Sequence, residues 1–337
     1  MANYILSMGG YTSDSPHYSD VVDVFRTMEK GVELVTDHGL SLSVARQNIA
    51  TAAAGNYVLA MGGDMASRAY SDAVDVFKAT TNGIEQITDH NLSLSAGRRT
   101  TAAAAGNYIL ALGGYDGSVF YDTVDIFKVT ENGVEEITGH GLALSEGKVT
   151  VGAACGNYIL ALGGNPGTGA TDAIDVFKVT ENGIEHILNH GLTLSVARRA
   201  FATATCGNYI FAMGGYDSTK PVNAVDIFKV TESGIEHITD HELSLSVARR
   251  DLAGAACGNY VLALGGSGPY SATPYYDTID VFKVTDNGVE KVTVRNLSLS
   301  VARGYLSAAA MGKYIVALGG RDNTNYLDTI DVFQIVE

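Results

Sequence analysis

The chain has 337 residues, 46% of them hydrophobic, and carries 22 basic against 37 acidic residues for a formal net charge of −15. So acidic a surface repels the phosphates of nucleic acids and anionic lipids, and no run approaches the roughly 18 consecutive apolar residues a membrane helix needs, so neither nucleic acid nor membrane is expected as a partner. The three cysteines are too few and odd in number for a disulfide framework, and the opening MANYILSMGG lacks the basic-then-apolar order of a secretory leader, so a cytoplasmic setting is expected.

The first predicted element is a strand, Tyr4 to Met8, closed by Gly9-Gly10. Its pattern, NY-[IV]-apolar-x-apolar-GG, returns from Asn56, Asn107, Asn157, Asn208 and Asn259, and as KYIVALGG from Lys313. A V/I-D-[IV]-F segment follows each time, ending at Phe25, Phe77, Phe127, Phe177, Phe228, Phe282 and Phe333. A G-[IV]-E string begins at Gly31, Gly83, Gly133, Gly183, Gly234 and Gly288. The connector L-[STA]-L-S-x-x-[RK] then ends at Arg46, Arg98, Lys148, Arg198, Arg249 and Arg303. Self-similarity in step over the whole chain is the mark of a repeat array, so residues 1–337 are read as one domain with units beginning near residues 3, 56, 107, 157, 208, 259 and 313.

Residues 98–148 show what one unit folds into. Thr100 to Ala105 is a run of Thr and Ala; Gly106-Asn107 turns it into Tyr108–Leu112, which ends at Gly113-Gly114. A loop leads to Thr123–Val129, where Val124 and Ile126 alternate with Asp125 and Phe127. Glu131-Asn132-Gly133 marks a hairpin, because Asn-Gly tolerates the positive φ of a tight turn, and Val134–Thr138 is the fourth strand. Four short strands without helical period, at a repeat near 50 residues, predict an all-β propeller of four-stranded antiparallel blades. The small side chains of the first strand suit the crowded innermost position. The chain offers six first, seven second, seven third and six fourth strands. A missing inner strand would leave backbone groups unpaired, which favours six blades over seven and leaves one hairpin, residues 3–27 or 313–337, spare. Such a hairpin invites strand exchange with a second copy, so a homo-oligomer through the termini is entertained.

These units resemble the kelch repeat. The Gly-Gly doublet, the aromatic of the third strand and the basic residue opening each new blade all fit that pattern. The tryptophan that kelch repeats carry seven residues beyond the aromatic is replaced by Val32, Ile84, Val134, Ile184, Ile235 and Val289, and the chain has no tryptophan at all. The resemblance implies a propeller, a role mostly in protein binding, and a minority of enzymes and sugar-binding members.

The second-to-third loops vary most: YTSDSPHYS, DMASRAYS, YDGSVFY, NPGTGAT, YDSTKPV, SGPYSATPYY and RDNTNYL. Strands alternate in direction, so these loops share one face with the fourth-to-first connectors. Tyr, Ser, Gly and Asp make adaptable recognition loops, and Tyr115, Tyr216 and Tyr276 are candidate contacts. The connector basics Arg46, Arg98, Lys148, Arg198, Arg249 and Arg303 are read two ways. They either pair with the equally periodic Asp23, Asp75, Asp125, Asp175, Asp226, Asp280 and Asp331, or form an anion cradle for an acidic peptide or sugar acid. Arg99, Arg199 and Arg250 follow them directly.

His38, His90, His140, His190 and His241 occupy one repeat position, so symmetry spreads them apart and no metal site is expected. No nucleophile elbow, phosphate loop or Cys–His pairing appears, and the carboxylates are periodic rather than paired as acid and base, so neither a cofactor nor catalysis is expected. The leading expectation is a non-catalytic binding or scaffold propeller that recognises a protein or peptide through the loops of one face. The alternatives are a sugar-acid-binding or sugar-modifying enzyme at the channel mouth, and a structural protein that assembles by half-blade exchange.

Overall fold

The computed structural model describes residues 4–13, 17–269 and 274–336. Asn3, which opens the first repeat, stretches 14–16 and 270–273 of two variable loops, and Glu337 lie outside the described residues. Seven antiparallel sheets follow one another in chain order. The first comprises β1 (Tyr4–Tyr11), β2 (Tyr18–Met28) and β3 (Gly31–Val35), and the second β4 (Ala50–Ala54), β5 (Tyr57–Met61), β6 (Val74–Thr80) and β7 (Gly83–Ile87). The third has β8 (Arg99–Ala105), β9 (Tyr108–Tyr115), β10 (Phe120–Thr130) and β11 (Gly133–Ile137), and the fourth β12 (Val149–Cys155), β13 (Tyr158–Asn165), β14 (Thr171–Thr180) and β15 (Gly183–Ile187). The fifth has β16 (Ala202–Cys206), β17 (Tyr209–Met213), β18 (Val225–Thr231) and β19 (Gly234–Ile238), and the sixth β20 (Ala253–Cys257), β21 (Tyr260–Leu264), β22 (Ile279–Thr285) and β23 (Gly288–Val292). The last holds β24 (Ser307–Met311), β25 (Tyr314–Leu318) and β26 (Ile330–Gln334). No helix among the described residues is long and apolar enough to cross a membrane.

The expectation of six blades is therefore corrected to seven, and neither terminal hairpin is spare. Among the described residues, the first sheet has no inner strand and the last no outer one. The reason lies in the third strand, which is apolar on both sides. Val22 and Val24 pack with Leu42, Ala60 and Phe77, while Phe25 is buried on the opposite side. A hairpin with two apolar sides gains more as a layer of its own than as a spare edge, since each buried large aliphatic or aromatic side chain is worth about 1.5–3 kcal/mol. The missing inner strand is met by exposure instead: only Ile5 of β1 is buried, whereas Tyr108 to Gly114 of β9 are all buried.

The chain forms two compact units: Met1–Val24, Leu34–Thr168 and Ile174–Gly191, and Phe25–Glu33, Gly169–Ala173 and Leu192–Glu337. In the first, Leu59, Met61, Val74 and Val76 meet Ile109 and Phe127 of the next sheet, with Val134 against the cluster. Leu110, Leu112, Val124 and Ile126 meet Ile159 and Phe177, with Ile184 alongside. The aliphatic residues that stand where kelch repeats have tryptophan thus fill the space between sheets together with the third-strand phenylalanine. In the second unit Phe211, Val225 and Ile227 meet Val261 and Phe282 in the same way. There also the hairpin before β3 reaches β25, Gly31 N–H donating to Tyr314 Oη at 2.7 Å.

First strands carry small residues because their neighbours are close. A Cβ at Gly254 would lie 2.6 Å from the carbonyl oxygen of Thr203, and one at Gly152 3.0 Å from that of Ala102. The Gly-Gly doublet serves a similar approach. Gly265 adopts φ +58°, and a Cβ there would meet the Arg303 carbonyl oxygen at 2.5 Å. Gly266 N–H donates to that same carbonyl at 2.8 Å, tying the sixth sheet to the start of the seventh.

Candidate binding surface

The six connector basics have no exposed surface, and each is engaged by the third-strand aspartate of its own sheet. Arg46 Nη2 lies 2.6 Å from Asp75, Lys148 Nζ 3.0 Å from Asp175, Arg198 Nη2 2.5 Å from Asp226, Arg249 Nη1 2.7 Å from Asp280 and Arg303 Nη1 2.8 Å from Asp331; Arg98 pairs with Asp125. The arginines also donate to second-strand carbonyls, as Arg249 does to Gly265 at 2.7 Å and Ala263 at 3.0 Å. The aspartates accept connector N–H groups in return, Ser43 on Asp75 at 2.9 Å and Ser195 on Asp226 at 3.0 Å. Burial alone would raise Asp226, yet the Arg198 guanidinium and the Ser195 donors hold it below the ordinary carboxylate range. These cations clamp each connector onto its sheet. Asp23 of β2 has no such partner among the described residues.

One residue further along, Arg99 and Arg199 are part-buried while Arg250 stays buried. The residue after each connector basic bridges to the residue after a Gly-Gly doublet: Gln47 with Asp64, Arg199 with Tyr216, Arg250 with Ser267 and Gly304 with Arg321. Antiparallel pairing thus delivers the second arginines and the first loop residues to one sheet end. In the first unit Arg99 stands over Tyr115 at 5.2 Å, and Tyr115 packs on Phe120 with ring centroids 4.4 Å apart. Tyr18, Tyr70, Tyr115, Asp64 and Asp116 line a cleft of about 550 Å3 there.

The second unit holds a denser set. Arg199 and Arg250 stand over the Tyr216 ring at 5.6 and 5.9 Å. Arg250 is almost wholly buried, pairs with Asp251, and donates to Tyr305 Oη at 3.1 Å and the Gly268 carbonyl at 3.2 Å. Ser267 Oγ donates to Asp251 at 3.1 Å. Burial pushes the Asp251 carboxyl up against the pull of Arg250. Burial and then the Asp251 charge push the Tyr305 phenol up to about 12. Arg321 stands 5.7 Å from both the Tyr305 and Tyr326 rings. Ala200, Asp251 and Tyr305 all have positive φ, at 55°, 52° and 56°, a conformation L-residues adopt rarely. They are linked in a chain, Asp251 N–H to the Ala200 carbonyl and Tyr305 N–H to that of Asp251, both at 2.8 Å.

Of the tyrosines singled out in the sequence, Tyr115 and Tyr216 occupy equivalent places under an arginine. Tyr276 does not: it lies at the far end of its loop, where its carbonyl accepts from Arg303 N–H at 3.1 Å and its phenol lies near Arg249. Sequence reasoning missed Asp251, Tyr305 and Arg321. The available signal was a departure from the repeat, Arg250-Asp251 where other units read Gln47-Asn48, Arg99-Thr100 or Val149-Thr150. The repeated histidines serve turns: the ring nitrogens of His38 and His140 accept Leu40 and Leu142 N–H at 3.1 and 3.0 Å.

Sheets of up-and-down strands in tandem, each with a Gly-Gly doublet and a buried basic–aspartate clamp, make this an all-β propeller of seven blades. Within that class the Kelch motif matches residues 197–233, from the connector of the fifth blade to its third-to-fourth hairpin, and fold and motif together support a kelch-repeat propeller. No curated protein matches the chain.

Proposed function

We propose that the protein is a non-catalytic binding module that takes a protein or peptide on the loop end of its blades, with the arginine–tyrosine set of the second unit as its centre. Kelch propellers are commonly interaction scaffolds, which agrees with this reading. The observation that carries it is the pairing of exposed aromatics with guanidinium groups that are held by tyrosines rather than by carboxylates, Arg321 by a hydrogen bond with Tyr275 and Arg199 over the Tyr216 ring. Tyr305 and Tyr326 are 51% and 42% exposed, and Arg321 lies between them. Among the described residues no carboxylate forms an ion pair with Arg199 or Arg321, and Arg199 Nε is buried without an acceptor. A rigid tyrosine gives contact area at little entropic cost, and a guanidinium prefers a carboxylate, so an extended segment bearing an acidic group fits best. A sugar acid could use the same cations, and the test below separates the two readings.

Panning a random peptide display library against the protein tests the proposal. Acidic peptides should emerge, and Arg321→Ala and Tyr326→Ala should each weaken them roughly tenfold with melting unchanged. Peptides that bind both variants as they bind the wild type would sink it, and saturation by glucuronate alone would favour the sugar-acid reading.

A further inference from the structure

The cleft of the first unit differs from the arginine–tyrosine set of the second by an exchange of charge. The first residue of a variable loop bridges to a residue at that loop's far end: Arg321 to Tyr326 in the last sheet, Asp64 to Tyr70 in the second. At Arg321–Tyr326 the loop supplies its own cation, and the guanidinium stands 5.7 Å from the Tyr326 ring. At Asp64–Tyr70 a carboxylate takes the arginine's place. Among the described residues no cation stands over Tyr70 or Tyr18, and none forms an ion pair with Asp64.

The Asp64 charge is poorly compensated. Its Oδ2 accepts from Asn48 Nδ2 at 2.5 Å, whereas Oδ1 is buried without a donor. A carboxylate oxygen left so is costly, and a cation close by offsets that cost. The other carboxylate, Asp116, is already satisfied: it accepts from Ser118 and Val119 N–H at 2.8 and 2.7 Å and from Tyr121 Oη at 2.7 Å. Tyr70 and Tyr115 stand edge to face with ring centroids 6.4 Å apart, and Tyr18 adds a third aromatic to the lining. Two of the protein's own cations border the cleft. Arg99 is taken up over Tyr115, and exposed Arg68 on the rim stands over no ring among the described residues. Asp64 outweighs Arg99 at the Tyr70 phenol: burial first, then the Asp64 charge, push that phenol up against the pull of Arg99.

We infer that this cleft binds a ligand bearing a guanidinium group, seated over Tyr70 beside Asp64 where the last sheet places its own Arg321. A planar guanidinium lies on a ring face while its edge N–H groups turn to a carboxylate, which neither an anion nor a neutral sugar can do. The site shares no residue with the second-unit surface, so either reading can fail alone.

Calorimetric titration with N-acetylarginine amide should saturate. N-acetylcitrulline amide, which keeps the shape without the charge, should bind roughly tenfold more weakly or worse. Asp64→Asn keeps an oxygen for Asn48 and should weaken the arginine amide roughly tenfold with the thermal melt in place. Tyr70→Leu should weaken it likewise, and Tyr70→Phe, which keeps the ring, should not. A capped peptide with a central arginine that binds more tightly than the amide assigns the guanidinium to a polypeptide, and equal affinity assigns it to a small guanidine. Equal binding of the arginine and citrulline amides, an affinity indifferent to Asp64→Asn, saturation by methyl glucoside instead, or no saturable heat at millimolar ligand overturns the inference.

Discussion

A guanidinium with no exposed surface depends on its carboxylate, because an uncompensated buried charge costs far more than a surface ion pair contributes. Asp226→Asn, which strands Arg198, should lower stability by about 3–5 kcal/mol in a urea titration. Changing both partners, Arg198→Met with Asp226→Leu, should cost much less; equal losses would show that the pairing is not what matters. At the loop end, Tyr305 should ionise near 12, and Asp251→Asn should bring it back toward the ordinary tyrosine value in an ultraviolet difference titration against Tyr305→Phe. The sequence made the basic–aspartate pairing readable, because both members recur in phase. It hid Asp251, Tyr305 and Arg321, because a single departure from a repeat looks like drift until neighbouring blades bring the residues together.

At the level of the element, the second-strand terminus decides how closely consecutive blades approach. Gly265→Ala places a methyl group on a left-handed backbone and against the Arg303 carbonyl, and should cost about 3 kcal/mol in the same titration. A loss below about 0.5 kcal/mol, typical of an ordinary surface change, would mean the doublet is dispensable. Strand boundaries were legible to within about three residues, since Asn-Gly turns, Gly-Gly ends and the alternation in V-D-[IV]-F all act locally, but β1 and β9 run on through the Gly-Gly pair to Tyr11 and Tyr115, and β10 begins at Phe120 rather than Thr123. Blade number was not. It turns on whether a terminal hairpin can stand as its own layer, and that depends on Phe25 and Val24 finding cover on opposite sides, which no local pattern records.

For the molecule as a whole, acid should be the weak flank. Asp226 and Asp280 are both held below the unfolded-state value. Their contribution is complete above the ordinary carboxylate pKa, about 3.9, and is lost as pH falls through the depressed folded values. Asp251 is raised and works in the opposite sense, with its contribution lost as pH rises through its folded value. Because the depressed pairs outnumber it, unfolding free energy measured by urea should drop steeply below about pH 4. A flat profile down to pH 2 would contradict the assignment.

The clamp also bears on how such a chain can lengthen in descent. In each case the basic residue and its aspartate belong to the same sheet and fall within one period of the sequence, as Arg249 and Asp280 do. The ties between successive sheets are backbone hydrogen bonds and interchangeable aliphatic contacts. A gene duplication that copies one whole period therefore inherits a complete, charge-balanced blade, while an insertion or deletion out of phase separates a buried cation from its counter-ion and is lost to selection. The units from Asn107 to Gly258, which share NYI, the Gly-Gly doublet and FKVTE while differing in loops and first strands, are what such in-phase copying followed by divergence would leave behind.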